Sequence, residues 1–459
     1  MSLADDILSF LPYSPNERQK LLIMSLATAT LSAPPRFVYQ LRGYAGTGKT
    51  SLTGAYVRAL TRAGIKHCLL APTGRAAKVF ADFSGEHAST IHKRIFRFDP
   101  MRPEKGFVPV RNKDRDMIFI VDEASMIGDD GSSASLLSHL VSHVFSSPGC
   151  RLMLIGDTAQ LPPVGETGSP AMDKAYMEAF GLNVAYFDLT DPVRQVRDSG
   201  ILYNATLVRR LLEKGASGFK GLLASRFPDV TVVDPRELED YLTTSWARTG
   251  EDQTVVITRS NWRANRINAD IRSRILYAEE PLQRGERLII TKNNYFFADS
   301  SEENAAGFLA NGEMATVDWT SAPEEKYGLR FVDAEIRLSG SGNIASVKLL
   351  LDSLECDGPR LEPERMMRLQ NLVIDSMPGN MSQKISAARK DPYFNAVQVK
   401  YAYCVTCHKA QGGQWKDVYI DLAGIAPEAF GEDFLRWLYT AITRASQHLF
   451  LINPTFMIK

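Results

Sequence analysis

Gly43-Tyr44-Ala45-Gly46-Thr47-Gly48-Lys49-Thr50 fits the pattern G-x-x-x-x-G-K-[ST]. Glycines in such a loop let the backbone approach phosphates, and its N–H groups point inward at them. Lys49 has the reach to neutralise the β- and γ-phosphates of a nucleoside triphosphate, and the Thr50 hydroxyl can ligate Mg²⁺. Ser51 follows at the start of a helical pattern, where the helix dipole favours anions. Three later segments supply what the loop lacks. Asp122-Glu123 offers a carboxylate for Mg²⁺ and a second one to polarise the attacking water. Gly156-Asp157 with Gln160 offers an amide that can touch the γ-phosphate, and Thr443-Arg444 offers a positive fork for the charge that develops there. The expected cofactors are ATP and Mg²⁺.

These residues need a scaffold that presents them together. Phe37–Leu41 is an apolar, β-rich run ending at the loop, and residues 51–63 carry Leu52, Ala55, Tyr56, Ala59 and Leu60 at helical spacing. Further strands are expected at Cys68–Ala71, Met117–Val121, Leu152–Ile155 and Val184–Leu189, with helices between them. That alternation predicts an α/β fold with a parallel sheet. The motifs fall at the C-terminal ends of its strands, where open α/β sheets bind ligands.

A second alternation begins after Asp191-Pro192. It comprises a helix at Ile201–Leu212, a strand at Thr254–Thr258, a helix from Asn261 to Leu276, strands at Val399–Cys407 and Asp417–Leu422, a helix at Glu432–Arg444 and a strand at His448–Ile452. Between Gln283 and Phe394 the pattern changes to β-like runs split by Asn311-Gly312 and Ser339-Gly340-Ser341-Gly342, which predicts a small barrel or meander. Residues 359–392 are polar and read as helices or an arm. A shorter insertion between Phe83 and Asp116 interleaves Arg94, Arg97, Arg102, Lys105, Arg111, Lys113 and Arg115 with Phe96, Phe98 and Phe107.

Composition bounds the alternatives. A chain of 459 residues is long enough for about three domains. Lysine plus arginine and aspartate plus glutamate number 53 each, so any nucleic-acid surface must be a local stripe. No apolar run has the length of a membrane span, and the acidic N-terminus does not resemble a signal peptide. Five cysteines, an odd number, suit a reducing compartment. Cys404-Val405-Thr406-Cys407-His408 has the haem-attachment spacing, yet it sits in an apolar strand-like run and is read as a buried strand leading to a ligand contact. His139 and His143 share a helix face without a third ligand in view, and are read as ordinary helix residues rather than a zinc site.

With these residues in hand, the chain resembles the superfamily 1 helicases, over segments running from Gln19 to Arg444. Ser14–Gln19 resembles the adenine-reading segment, with Gln19 as the reader. Ala71-Pro72-Thr73-Gly74-Arg75-Ala76-Ala77-Lys78 and Ser89-Thr90-Ile91-His92 resemble motifs Ia and Ib, which lie on the nucleic-acid strand. Arg194 resembles the motif IV arginine. Thr406-Cys407-His408-Lys409-Ala410-Gln411-Gly412 resembles motif V, and Leu438–Ala445 motif VI. The wording of these motifs is similar to the RecD and Dda branch, superfamily 1B, and the length is near that of its small Dda-type members.

The resemblance implies two RecA-like domains: 1A over residues 1–83 and 116–192, and 2A over 193–283 and 395–459. It implies a pin, domain 1B, at 84–115 and an SH3-like domain 2B at 284–394. It also implies ATP hydrolysis coupled to 5′-to-3′ movement along single-stranded DNA, with forked duplex as the substrate to unwind. Arg194 joins Lys49, Asp122, Glu123, Gln160 and Arg444 as catalytic, and Gly412 joins the nucleotide contacts. Pro72, Thr73, Arg75, Thr90, His92, Asn261, Thr406, His408 and Lys409 are the expected DNA contacts. Phe98 and Phe107 are equally readable as small-domain core or as a duplex-splitting wedge. A single copy acting in the cytoplasm of a bacterial or phage-infected cell is the expected setting. A translocase that strips bound proteins without unwinding, and a scaffold that does not hydrolyse ATP, remain as other readings.

Overall fold

The computed structural model describes residues 2–98, 107–129, 135–191, 199–216, 218–294, 296 and 309–454. The first half builds a parallel sheet from β1 (Phe37–Gly43), β2 (His67–Ala71), β3 (Ala88–Thr90), β6 (Ile118–Val121), β7 (Arg151–Gly156) and β8 (Asn183–Leu189). Its order is β3-β2-β6-β7-β1-β8. β1 lies between β7 and β8, so the phosphate-loop pattern leaves the interior of the sheet beside the strand that ends at Gly156. Both faces of this sheet are covered, which explains the continuous apolar runs. Leu41, Leu52 and Leu60 are fully buried in one such layer. Truncating any of them to alanine would cost about 2–5 kcal/mol.

β4 (Phe96–Phe98) and β5 (Phe107–Pro109) form a separate antiparallel hairpin, with Phe98 paired to Phe107 along the backbone. The stretch expected as the insertion at 84–115 also contributes to the first sheet and its core. β3 pairs with β2, and the helix Ile91–Ile95 buries Ile91 and Ile95 in the core of the first sheet. The hairpin itself touches that core through Phe96, which lies against His92 and His139. Arg97, Arg111, Lys113 and Arg115 are exposed around it, whereas Arg94 is paired with Asp114. Residues 99–106, which join the two strands, and the side chains of Phe98 and Phe107 lie outside the described residues.

The second half contains β9 (Val230–Val233), β10 (Thr254–Thr258), β11 (Arg287–Ile290), β12 (Met314–Thr320), β13 (Glu324–Lys326), β14 (Leu329–Leu338), β15 (Ile344–Leu350), β16 (Val397–Tyr401), β17 (Cys404–Thr406), β18 (Trp415–Asp421) and β19 (Ala445–Ile452). A second parallel sheet has the order β17-β10-β18-β19-β9. A third, mostly antiparallel, has the order β12-β11-β16-β15-β14-β13, and an extra pairing of β12 with β14 closes it into a barrel-like sheet. β14 alternates buried and exposed positions over much of its length, as a strand with one face on a core must. Helices Pro363–Ser376 and Met381–Ala388 bury Leu369, Val373 and Ala388 against Leu329 and Phe331 of this sheet.

The expected single strand Val399–Cys407 is two strands in two sheets. β16 pairs with β11 and β15 in the barrel-like sheet, and β17 pairs with β10 in the parallel one. Buried Asn268 splices the junction. Its Nδ2 donates to Tyr401 O (3.2 Å) and Cys404 O (2.9 Å), and its Oδ1 accepts from Cys404 N at 2.8 Å. No helix among the described residues is long and apolar enough to cross a membrane.

Candidate functional site

The helix Lys49–Arg62 begins at Gly48, which adopts φ 85° and offers no side-chain cap. The first N–H groups of that helix therefore face the loop without a protein side chain bonded to them, an arrangement suited to phosphate. Gly43 is required for space as well: a Cβ there would lie 2.7 Å from the Lys49 side chain. Lys49 Nζ donates to Gly43 O (2.5 Å) and Tyr44 O (3.0 Å) and lies 4.0 Å from Asp157 Oδ2. Gln19, almost fully buried, supports the loop from behind. Its amide donates to Thr47 O at 3.0 Å and accepts from Asn16 N at 3.0 Å.

A cleft of about 300 Å³ opens over this loop. Tyr44, Ala45, Gly46, Gly48, Lys49, Thr50, Ser51, Asp122, Glu123 and Gln160 line it from the first sheet. Ile201, Leu202, Ala205, Gln414, Thr443 and Arg444 line it from the second half of the chain. The cleft thus joins five of the six expected catalytic residues. Arg194 lies outside the described residues, and Gly412 is not on the cleft wall but packs against Thr73 and Ala76.

Asp122 and Glu123 leave β6 into this cleft. Glu123 has φ 51°, a left-handed conformation uncommon for a residue with a side chain. Such strain persists where surrounding structure enforces it, and it clusters at functional sites. The turn lets Glu123 N donate to Asp122 Oδ1 at 2.8 Å. Burial, and then the adjacent Glu123 charge, push the Asp122 carboxyl up to about 7. A buried acid crowded by a second acid is suited to a cation, which relieves both effects. Gln160 is buried, and its Oε1 has no hydrogen-bond partner among the described residues. The uncapped helix, the crowded carboxylates and this unpaired amide oxygen fit a Mg²⁺–triphosphate group.

Arg444 reaches the same cleft from the opposite side. It is 4% exposed, and its guanidinium is anchored to Thr440 O (3.1 Å), Gly413 O (3.2 Å) and Thr443 Oγ1 (3.2 Å). Its Nη1 lies 3.7 Å from Glu123 Oε1. Motifs separated by more than half the chain are in contact here. The loop after β7 is held in the same way: Arg436 donates to Thr158 O, Thr440 Oγ1 accepts from Leu161 N, and Gln411 donates to Leu161 O. Sequence reasoning assigned no role to Asp157, Gln411, Arg436, Tyr439 or Thr440. Their signal was position inside or beside the quoted motifs.

The expected strand contacts are dispersed over both halves. Thr73 and Thr90 each cap a helix, accepting from Ala76 N and Lys93 N. Thr90, with Lys78, Lys93, Ser89 and Ser341, lines a polar cleft of about 490 Å³ between the first sheet and the barrel. Pro72 is half-buried and His92 stacks on Phe96. Arg75 is engaged with protein: it lies 3.7 Å from the Trp415 ring centroid and donates to Gln414 O at 2.9 Å. In the second half, His408 is exposed, Lys409 is bonded to Asn311, Thr406 is buried, and half-buried Asn261 opens a helix capped by Ser260. Cys404 and Cys407 are both buried, and burial pushes the Cys407 thiol up to about 12. His139 and His143 each direct a ring nitrogen at a backbone carbonyl, of Ser135 and Val110.

Residues 16–212 match the family model described as an AAA domain, and residues 401–452 match the UvrD-like helicase C-terminal domain. Over 132 residues the chain is 37% identical to the ATP-dependent RecD2 DNA helicase of Deinococcus radiodurans, covering 29% of this chain and 17% of that one. Over 266 residues it is 28% identical to the ATP-dependent DNA helicase dda of Enterobacteria phage T4, covering 54% of this chain and 55% of that one. The chain thus spans about half or less of the length of these curated relatives. The crystal structure of Pif1 helicase from Bacteroides in complex with ADP-AlF3 and ssDNA aligns at 15% identity and a TM-score of 0.48, covering 97% of this chain and 93% of that one.

Proposed function

We propose that this chain is a RecD/Dda-like helicase of superfamily 1B, which hydrolyses ATP to move 5′ to 3′ along single-stranded DNA and to unwind forked duplex. The observation that carries this reading is the approach of Arg444 to Glu123 across the cleft, at 3.7 Å. One wall holds the phosphate loop and both carboxylates, and the other holds the arginine. A site divided in this way is complete only when its two walls close, so closure and hydrolysis are linked.

Lys49 and the loop amides bind the phosphates. Thr50 and Asp122 hold Mg²⁺, which when bound spreads the charge of the β- and γ-phosphates. Glu123 orients and deprotonates the attacking water. Gln160 reports whether the γ-phosphate is present, and Arg444, with Arg194, stabilises the charge that develops on it. The DNA strand runs over Thr73, Thr90, His92, Asn261, His408 and Lys409, touching both halves, so that alternating closure advances the protein along it. We assign RecA-like domain 1A to the first sheet and 2A to the second. The β4–β5 hairpin is the pin, and the barrel-like sheet, including β16, is the SH3-like domain 2B.

The test is DNA-stimulated phosphate release together with strand displacement on forks bearing a 5′ or a 3′ tail. Unwinding from 5′ tails alone is expected. Unwinding from 3′ tails alone refutes the polarity. Phosphate release that DNA does not stimulate refutes the helicase reading.

A further inference from the structure

Tyr439 lies on the helix Glu432–Ile442, in the half of the chain opposite the phosphate loop, and is 1% exposed. Its hydroxyl makes two bonds, both across the cleft. It donates to Asp157 Oδ2 at 2.6 Å and accepts from Ala45 N, within the phosphate loop, at 2.9 Å. Burial, reinforced by the Asp157 charge, holds this phenol well above its ordinary range, so it stays protonated and remains a donor.

Asp157 is 2% exposed, and its other oxygen accepts from Ala159 N at 3.0 Å. Its Oδ2 also faces Lys49 Nζ, yet at 4.0 Å the two are not in hydrogen-bond contact. A buried carboxylate beside an ammonium ordinarily closes to about 2.8 Å. Here the short bond from Tyr439 holds Oδ2, and Lys49 turns instead to the carbonyls of Gly43 and Tyr44. Neutral carbonyls release an ammonium to phosphate more readily than a buried carboxylate does.

We propose that Tyr439 is a positioning residue that restrains Asp157 from pairing with Lys49, and so keeps the phosphate-binding lysine available. The same hydroxyl fixes the Ala45 amide, so the second half of the chain tunes nucleotide affinity through one side chain. The inference rests on the ATP-site reading above and deepens it.

The test measures the Kd of a fluorescent ATP analogue with Mg²⁺ for the full chain. Tyr439→Phe keeps the ring and removes the restraint, and its Kd is expected to rise about tenfold. Asp157→Asn removes the competing charge and should leave Kd within about threefold of wild type. In the double variant that second change should suppress the first and return Kd close to that of Asp157→Asn. A purely structural role for the phenol would not be suppressed by neutralising Asp157. Tyr439→Phe binding like wild type, or a double variant as weak as Tyr439→Phe, overturns the proposal. Should Tyr439→Phe melt far below wild type, Asp157→Asn alone decides: a loss of affinity beyond about threefold overturns it. A wild-type protein that fails to bind the analogue would overturn the ATP-site reading itself.

Discussion

Replacing Arg444 by lysine keeps the charge and discards the fork. In the native chain the guanidinium is held by Thr440 O, Gly413 O and Thr443 Oγ1 while Nη1 faces Glu123 at 3.7 Å. One ammonium cannot satisfy those anchors and still present charge across the cleft. At that separation, two unit charges interact by about 4 kcal/mol for an effective dielectric near 20, before desolvation is subtracted. That gross figure is comparable with the roughly 10³–10⁵ in kcat that an arginine finger supplies, since each tenfold corresponds to about 1.4 kcal/mol. We expect Arg444→Lys to lose at least about a hundredfold in DNA-stimulated kcat and Arg444→Ala about a thousandfold. Binding of an ATP analogue without DNA should stay within about threefold, because the loop and Lys49 sit on the other wall. Alanine also strands the buried Gly413 carbonyl, at about 1–3 kcal/mol, while Thr440 O keeps its bond from Thr443 Oγ1, so melting must be recorded beside turnover. Both variants folded, with kcat within about threefold of wild type, would refute the assignment.

Glu123→Gln should bind ATP and hydrolyse it very slowly, because an amide keeps the shape but accepts no proton; single-turnover phosphate release checks this, and an unchanged rate removes Glu123 from the role. Asp122 predicts a pH effect on stability. Its carboxyl, raised to about 7 in the folded protein, favours folding while protonated, and that contribution is lost as pH rises through about 7. Asp122→Asn should therefore melt above wild type at pH 8 in chelator-containing buffer, with the difference shrinking toward pH 5; a gap that widens on acidification contradicts the sign. Cys407, buried and pushed up to about 12, should resist thiol reagents in the native protein and react on unfolding, so rapid native labelling would refute its burial. Phe107→Ala should slow unwinding while sparing single-strand-stimulated ATPase; equal loss of both, with a lowered melting temperature, would make that ring a core residue.

The residues that line the cleft were legible in the sequence because their placement is set at short range. A phosphate loop is one strand, one turn and one helix, and its glycines declare positive φ and close approach within a few residues. Asp122-Glu123 after β6 and Gln160 after β7 follow the same logic, since a strand end delivers its next residues to one edge of the sheet. The alternating pattern also announced parallel sheets and, by its interruption, the β-rich insertion. Three things were left to the tertiary structure. The run Val399–Cys407 reads as one strand because apolar periodicity carries no information about partners; Asn268 and the competing edges of β10 and β11 divide it. The insertion at 84–115 reads as one unit because its polar composition hides Ile91 and Ile95, whose burial depends on the neighbouring sheet. The hydroxyl of Tyr439 has no meaning in a linear pattern, since its two partners, Ala45 and Asp157, reach it only after the two halves of the chain close on each other. Sequence specifies what a strand, loop or helix can do with its neighbours a few residues away. Which distant groups share a cleft depends on the packing free energy of the whole molecule, to which no single segment holds the key.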